Sequence, residues 1–170
     1  MTTLPESLYD PRTLPLSSIK IPPAEDPLLA FFTNLIMRHG KRQDAARVVA
    51  KTLVHLHAFT HAPPLPILRQ AVALAAPLVS SYEIRRAGKS YVFPRALSER
   101  QRTARALKTI IKASERRGGQ HAPERLAREV LAVIKGDSSV LQVKEQAHKF
   151  AVLHRASVLS PPKVPKSFKV

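Results

Sequence analysis

Apolar residues recur along this chain mainly at helical spacing, and prolines and glycines cut the pattern into segments. Asp26 can cap a helix with Pro27 at its first position, and Leu28, Leu29, Phe31, Phe32, Leu35 and Ile36 then form a broad apolar face up to Met37. A basic turn follows, Arg38-His39-Gly40-Lys41-Arg42, with Gly40 the expected C-cap. From Gln43 to about Ala58, the positions Ala46, Val49, Ala50, Leu53, Val54 and Leu56 predict a second helix with Arg47 and Lys51 outside, and Pro63-Pro64 breaks it. Pro66 opens a third, Ile67 to Ala76, apolar except at Arg69 and Gln70 and so expected in the middle of the core; Pro77 ends it.

The period then changes to alternation. Ser81-Tyr82-Glu83-Ile84 and Tyr91-Val92-Phe93-Pro94 read as two short strands around the turn-rich Arg85 to Ser90, which makes a β-hairpin with Ile84 and Val92 anchoring its base. Ser98 offers an N-cap, Glu99 suits the positive end of the helix dipole, and a long helix can run to Arg117, where Gly118-Gly119 stops it. A fifth helix starts at Ala122-Pro123 and runs through Leu126, Val130, Leu131 and Ile134 to Gly136; Asp137 or Ser138 caps a sixth, Val140 to Ala156. The expected fold is mainly α, a bundle of about six helices in residues 27–156 with one protruding β-hairpin at about 80–97 between the third and fourth. Prolines 5, 11, 15, 22 and 23 make 1–26 an expected extended arm, and the Pro- and Lys-rich 157–170 an expected unfolded tail.

Charge sharpens this picture. The chain carries 28 Lys and Arg against 12 Asp and Glu, a net charge of +16. Between Ser80 and Arg117 there are eleven Lys or Arg and three Glu, net +8, half of that total. On a helical wheel Arg102, Arg105, Lys108, Lys112 and Arg116 share an arc of about 120°, with Ala104, Ala106, Leu107, Ile110 and Ile111 opposite. Solvated helix faces usually mix signs for pairing four residues apart, and here acids are almost missing from the stripe, so it reads as a polyanion-binding face. Disulfides and thiolate metal sites are excluded by the lack of cysteine, and no apolar run approaches a membrane span. Residues 1–26, net −2, read as neither a signal peptide nor an Arg-rich transit peptide; an imported protein would then be in its processed form or lack its presequence.

Several motifs, in this order, resemble one family. Leu35-Ile36-Met37-Arg38-His39-Gly40-Lys41-Arg42 is similar to its L-M-x-x-G-K-K turn. Pro77-Leu78-Val79 with Arg85, Gly88, Tyr91 and Pro94 matches its hairpin spacing. Arg117-Gly118-Gly119 with Glu124-Arg125-Leu126-Ala127-Arg128-Glu129 resembles its S-G-K-x-x-x-E-R-L-A-x-E. Lys144-Glu145, His148-Lys149, Ala151 and Arg155-Ala156 sit where it has K-R-E-D-T-H-R-M-A-E-A-N-R-A. The family is the universal small-subunit ribosomal protein seven, and the resemblance covers about Pro27 to Ala156. Ala87-Gly88 replaces the family's paired glycine, Gln120-His121 its Lys-Ser, and His154 its Asn. With His55-Leu56-His57, the segment Ala62 to Ala71 and the acidic arm in place of a basic N-terminus, these departures resemble the mitochondrial branch, particularly that of fungi.

The resemblance implies a non-enzymatic protein of the mitochondrial small ribosomal subunit, without cofactor or metal, that binds ribosomal RNA and nucleates head assembly beside neighbouring ribosomal proteins. A bacterial-type cytoplasmic ribosome is the other placement. Together with the charge pattern it assigns RNA contact to Arg38, Lys41, Arg42, Arg95, Arg100, Arg102, Arg105, Lys108, Lys112, Arg116, Arg117, His148, Lys149 and Arg155. It sets Arg85, Arg86, Gly88, Lys89 and Tyr91 of the hairpin near the messenger exit channel and the exit-site transfer RNA.

Other chemistry fits less well. Gly88-Lys89-Ser90 matches the end of a P-loop, but Glu83 stands where that motif needs glycine, and a strand follows where a helix should. His57 and His61, with His55 nearby, lack a Cys or carboxylate in their segment to complete a metal site, so surface histidines are expected. His148 and His154 do not share a helical face and suggest no nucleophile with its base. Tyr82, Tyr91 and Phe93 can either stack on unpaired bases or pack between hairpin and helix; Tyr91 is the better contact candidate. A DNA-binding regulatory or architectural protein is the alternative function, but the long stripe is Arg and Lys, which hold phosphates without reading bases. A membrane-surface helix would expose the apolar face that the core requires.

Overall fold

The i, i+1, i+4, i+7 spacing of Leu126, Ala127, Val130 and Val133 gives one helix a buried stripe, and three other helices pack against it. A computed structural model describes residues 26–86 and 89–159. Its elements are α1 (Pro27–Ile36), α2 (Arg42–Thr60), α3 (Pro64–Ala75), β1 (Val79–Arg86), β2 (Lys89–Ala96), α4 (Glu99–Ser114), α5 (Ala122–Lys135), α6 (Ser139–Leu153) and a single turn, α7 (Ala156–Leu159). Helix α5 packs on α2, α3 and α4, while α1 closes over α2 and α4 and α6 lies against α3, α4 and the hairpin. Phe32, Val49, Leu56, Leu68, Ala71, Leu107, Ile110, Val130 and Val140 form the interlocking core. The mainly helical bundle with one hairpin between the third and fourth helices is as the sequence pattern predicts.

Local chemistry sets most boundaries. The Leu28 amide donates to Asp26 Oδ1 at 2.9 Å, and the other carboxylate oxygen receives Arg69 of α3, so the cap also ties α1 to α3. The Leu28 amide, with Arg69 beside it, holds the Asp26 carboxyl below the ordinary carboxylate range. Helix α4 begins with a capping box, the Ser98 amide donating to Gln101 Oε1 at 3.2 Å. Helix α5 stops at Gly136, whose φ of 84° is one that a residue without Cβ adopts without strain.

Several boundaries and faces differ from the pattern-based expectation. Helix α1 ends at Ile36, and Gly40 is not its cap: His39 (φ 52°) and Gly40 (φ 73°) are the two centres of a tight turn closed by Lys41 N–H to the Arg38 carbonyl at 3.1 Å. In α2 the buried positions are Ala45, Val49, Thr52 and Leu56, whereas Ala46, Ala50 and Val54 are exposed. Thr52 can take an interior place because its hydroxyl donates to the Val48 carbonyl at 2.8 Å. Helix α3 starts at Pro64, not after Pro66. The strands reach Arg86 and Lys89, which pair with each other, so both run further than expected; Ala87-Gly88 between them lie outside the described residues. Ile84 and Val92 lie mid-ribbon on opposite faces, and Val79 opposite Ala96 forms its base.

At the other end of α4 the helix stops at Ser114, three residues early, because Arg117 turns inward. Glu129 of α5 is 1% exposed; its carboxylate receives Arg117 Nε at 2.5 Å and the Ser138 hydroxyl, while another Arg117 nitrogen donates to the Asp137 carbonyl at 2.7 Å. Helix α6 breaks at His154-Arg155, and α7 folds back onto β2. Residues 157–159 therefore belong to that turn and not to an unfolded tail; the arm, 1–25, and 160–170 lie outside the described residues.

Two stability predictions follow from these contacts. Glu129→Ala leaves a half-buried guanidinium and a buried hydroxyl without their acceptor, a loss of about 3 kcal/mol and a fall in Tm of roughly 6–12 °C for a chain of this size. Thermal unfolding checks it, with Ser138→Ala costing less. For Asp26 the folded carboxyl titrates below its unfolded value of 3.8, so its contribution is complete above that pH and is lost as pH falls through the folded value. Asp26→Asn should lower Tm at pH 7, and the gap to the parent protein should narrow as the pH falls below 3.8 and close once the folded carboxyl is protonated.

Candidate nucleic-acid interface

Four cations spaced about one turn apart along a helix project on one side of it, and in α4 that side is left open by its neighbours. Arg105, Lys108, Lys112 and, just past the helix end, Arg116 line a groove of about 420 Å³ whose other wall is Ser139 and Val143 of α6. Among the described residues no carboxylate lines it. A rise of about 1.5 Å per residue spreads the four over roughly 16 Å, and closely spaced like charges make a focused positive field suited to phosphates. Arg105 also donates to the Ser80 hydroxyl, tying α4 to the foot of β1. Because the register sets Arg95 opposite Ser80, exposed Arg95 extends the stripe onto the hairpin.

Arg102 departs from the expected stripe. At 100° per residue it lies at the edge of the arc, and the packing of α1 and α3 there encloses it among Leu28, Arg69, Val72, Ala76 and Glu99. Its Nε is buried without a hydrogen-bond partner. Arg100 is exposed, with its guanidinium 5.8 Å from the centre of the Phe31 ring. Arg117 is engaged by Glu129, and that hydrogen bond raises its already high pKa. It is an internal clamp before it is an RNA ligand.

A second basic group flanks α4 on its other side. Arg38 and Lys41, on the tight turn between α1 and α2, share a recess with Ile111 and Ser114 of α4, Glu115 just past its end, and Arg125 of α5; Asp44 and Glu115 bring negative charge to it. Arg42 is exposed at the start of α2. The structure thus brings the turn to the end of α4 although some seventy residues separate them in sequence.

On α6, His148 Nε2 accepts the Leu78 amide at 3.1 Å, which fastens α6 to the entry of the hairpin, and Lys144 Nζ donates to the Leu74 carbonyl at 2.6 Å, which ties it to the end of α3. Lys149 is exposed 3.7 Å from Glu145, and Arg155 is exposed in the bend before α7. In the hairpin, Arg85 is exposed, with its Nε 3.4 Å from Glu83. The Ser90 hydroxyl, and then Arg85, hold the Glu83 carboxyl below its usual range. The side chains of Arg86 and Lys89, and Gly88, lie outside the described residues.

Tyr82 and Phe93 oppose each other edge to face at 5.3 Å, so Phe93 packs within the hairpin, and Tyr91 is exposed opposite Ile84 on the same face. Ser90 pairs with Arg85 in the ladder, so Gly88-Lys89-Ser90 leads into a strand and not a phosphate-binding helix. His57 Nδ1 lies 3.0 Å from the Ala62 carbonyl and His61 takes a left-handed φ of 52°, both closing the end of α2. In the sequence Glu129 stands out only as an acid amid the apolar positions of α5, within the motif that ends there.

Comparison with known proteins fits this arrangement. The sequence model of the family described as ribosomal protein S7p/S5e matches residues 6–155. Small ribosomal subunit protein uS7m of Schizosaccharomyces pombe is 30% identical over 132 residues, 78% of this chain and 51% of its own. Small ribosomal subunit protein uS7 of Thermotoga petrophila is 31% identical over 131 residues, 77% of this chain and 84% of that one. That of Thermosipho africanus is 30% identical over 140 residues, 81% of this chain and 90% of its own. The chain spans about half the length of the fission-yeast relative and most of the two bacterial ones.

Proposed function

The chain belongs to the ribosomal protein S7p/S5e family, a family of structural small-subunit proteins and not of enzymes, and from that premise we propose that it binds small-subunit ribosomal RNA through the α4–α6 groove and helps organise the subunit head. The observation that carries this reading is the groove itself: Arg105, Lys108, Lys112 and Arg116 on one wall and no acid among its lining residues. Arg95 on β2, Arg38, Lys41 and Arg42 at the α1–α2 turn and Lys149 and Arg155 on the last helices supply flanking phosphate contacts. Arg100, Arg102, Arg117 and His148 act mainly by fixing the elements that carry those cations.

The hairpin has a separate role. Its register allows a narrow two-stranded ribbon, and Tyr91 and Arg85 near its end are exposed to a partner that lies beyond the body. We assign it to the messenger exit path and exit-site transfer RNA. For the compartment, the likeness to a mitochondrial relative and the His55-Leu56-His57 departure support the mitochondrial small subunit. Sedimentation of the native protein with that subunit checks the placement.

The central test is salt dependence. Each neutralised phosphate releases counterion, so six engaged cations should cost about three orders of magnitude in affinity for head RNA between 50 and 200 mM salt. Arg105→Glu, Lys108→Glu and Lys112→Glu together should weaken binding strongly and reduce that slope by two units or more, with Tm little changed because all three side chains are exposed and the one bond lost, Arg105 to Ser80, is itself at the surface. A slope near zero, or equal affinity for duplex DNA and folded ribosomal RNA, overturns the assignment. Replacing Arg85 to Lys89 by a Gly-Ser turn should leave incorporation into subunits intact while lowering transfer-RNA retention or reading-frame fidelity. Failed incorporation of a folded variant would make the tip an assembly element instead.

A further inference from the structure

The side of the bundle away from the groove has a different character. Helix α2 packs on α1, α3 and α5, while α6 packs on α3, α4 and the hairpin, so α2 and the cationic groove lie on opposite flanks. The outward surface of α2 in its C-terminal half is apolar: Val54 is 67% exposed and Phe59 45%, with exposed Ala58 between them and the His55 ring stacked on Phe59 at 6.1 Å. From Phe59 the surface continues into a recess against α5 formed by Leu131, Ala132, Arg128, Lys135 and Asp137. Hydrogen bonds at its edges keep it in shape. Thr60 donates to the Leu56 carbonyl at 2.7 Å, and Arg128 is held by Glu124 and the Gly118 carbonyl.

Phosphates and riboses gain nothing from an exposed valine and a half-covered leucine, whereas an apolar patch bordered by charge is the usual anatomy of a protein contact. Two exposed lysines border it: Lys51, one turn before His55, and Lys135, at the end of α5. Resting on the reading that this chain is built into the small subunit, we propose that the α2–α5 face docks a segment of a neighbouring protein whose apolar residues are flanked by carboxylates. The apolar side chains cover Val54, Ala58 and Phe59, and the carboxylates meet Lys51 and Lys135.

The test uses assembled small subunits in which the variant chain is the sole copy. With p-benzoylphenylalanine in place of Val54, irradiation should cross-link the chain to one protein, and the cross-linked peptide should carry Asp or Glu within a few residues of its apolar ones. Val54→Asp and, independently, Lys135→Glu should each lower retention of the chain in salt-washed subunits by several-fold, while affinity of the free protein for head RNA stays within about twofold. Both positions are exposed, and unchanged thermal unfolding confirms the fold. A cross-link to RNA, a cross-link to a basic peptide, no cross-link, or a loss of free RNA affinity equal to that of Arg105→Glu each overturns the proposal. Should the RNA assignment itself be wrong, Arg105→Glu will leave RNA affinity intact while the position-54 cross-link to protein persists, so the two failures are distinguishable.

Discussion

A carboxylate removed from water must be met by charge or hydrogen bonds, and the arrangement of this bundle turns on how Glu129 is met. Its two oxygens are taken by Arg117, from the loop after α4, and by Ser138, which caps α6 by accepting the Val140 amide at 3.1 Å. Arg117 also reaches the Asp137 carbonyl. One buried acid in α5 therefore joins the exit of α4 to the entry of α6. The angle between those helices decides whether Lys112 and Arg116 face Ser139 and Val143 across an open groove, so an internal ion pair sets the shape of the surface that carries the external charge.

Helix α4 must satisfy two demands on one cylinder. Ala106, Leu107 and Ile110 are buried without remainder, and the cations opposite them remain in water. The two faces are compatible because long basic side chains carry their charge away from the backbone while their stems lie over apolar neighbours. Thr109 and Ala113 separate the faces inside the groove. Crowding several positive charges is unfavourable in the free protein, and a polyanion relieves that repulsion, which makes binding strongly dependent on salt. Arg102 shows the limit of the arrangement: one step nearer the core, its charge is partly enclosed by α1 and α3 and is less open to a ligand.

The same physics separates the flanks. Around the groove the exposed side chains are long and cationic; Val54, Ala58 and Phe59 of α2 are exposed and apolar, and some of the nearby charges are paired, Arg47 with Asp44 and Arg128 with Glu124. A protein that sits between RNA and other proteins needs both kinds of surface, and the bundle provides them on opposite sides of α3, α4 and α5.

Much of this was legible in the residues taken alone. The element order, the caps at Asp26 and Ser98, the stop at Gly136 and the two faces of α4 depend on interactions within a few residues, and short-range periodicity and cap chemistry report those directly. Several motifs in order also pointed to the family. The register of the hairpin, the outward turn of Ala46, Ala50 and Val54, the enclosure of Arg102 and the inward turn of Arg117 were not legible. Each depends on which element arrives from elsewhere in the chain: α5 beneath α2, α1 and α3 beside Arg102, Glu129 opposite Arg117. A wheel gives every residue of a helix an angle, but only the neighbours that pack against it decide which angles are inside.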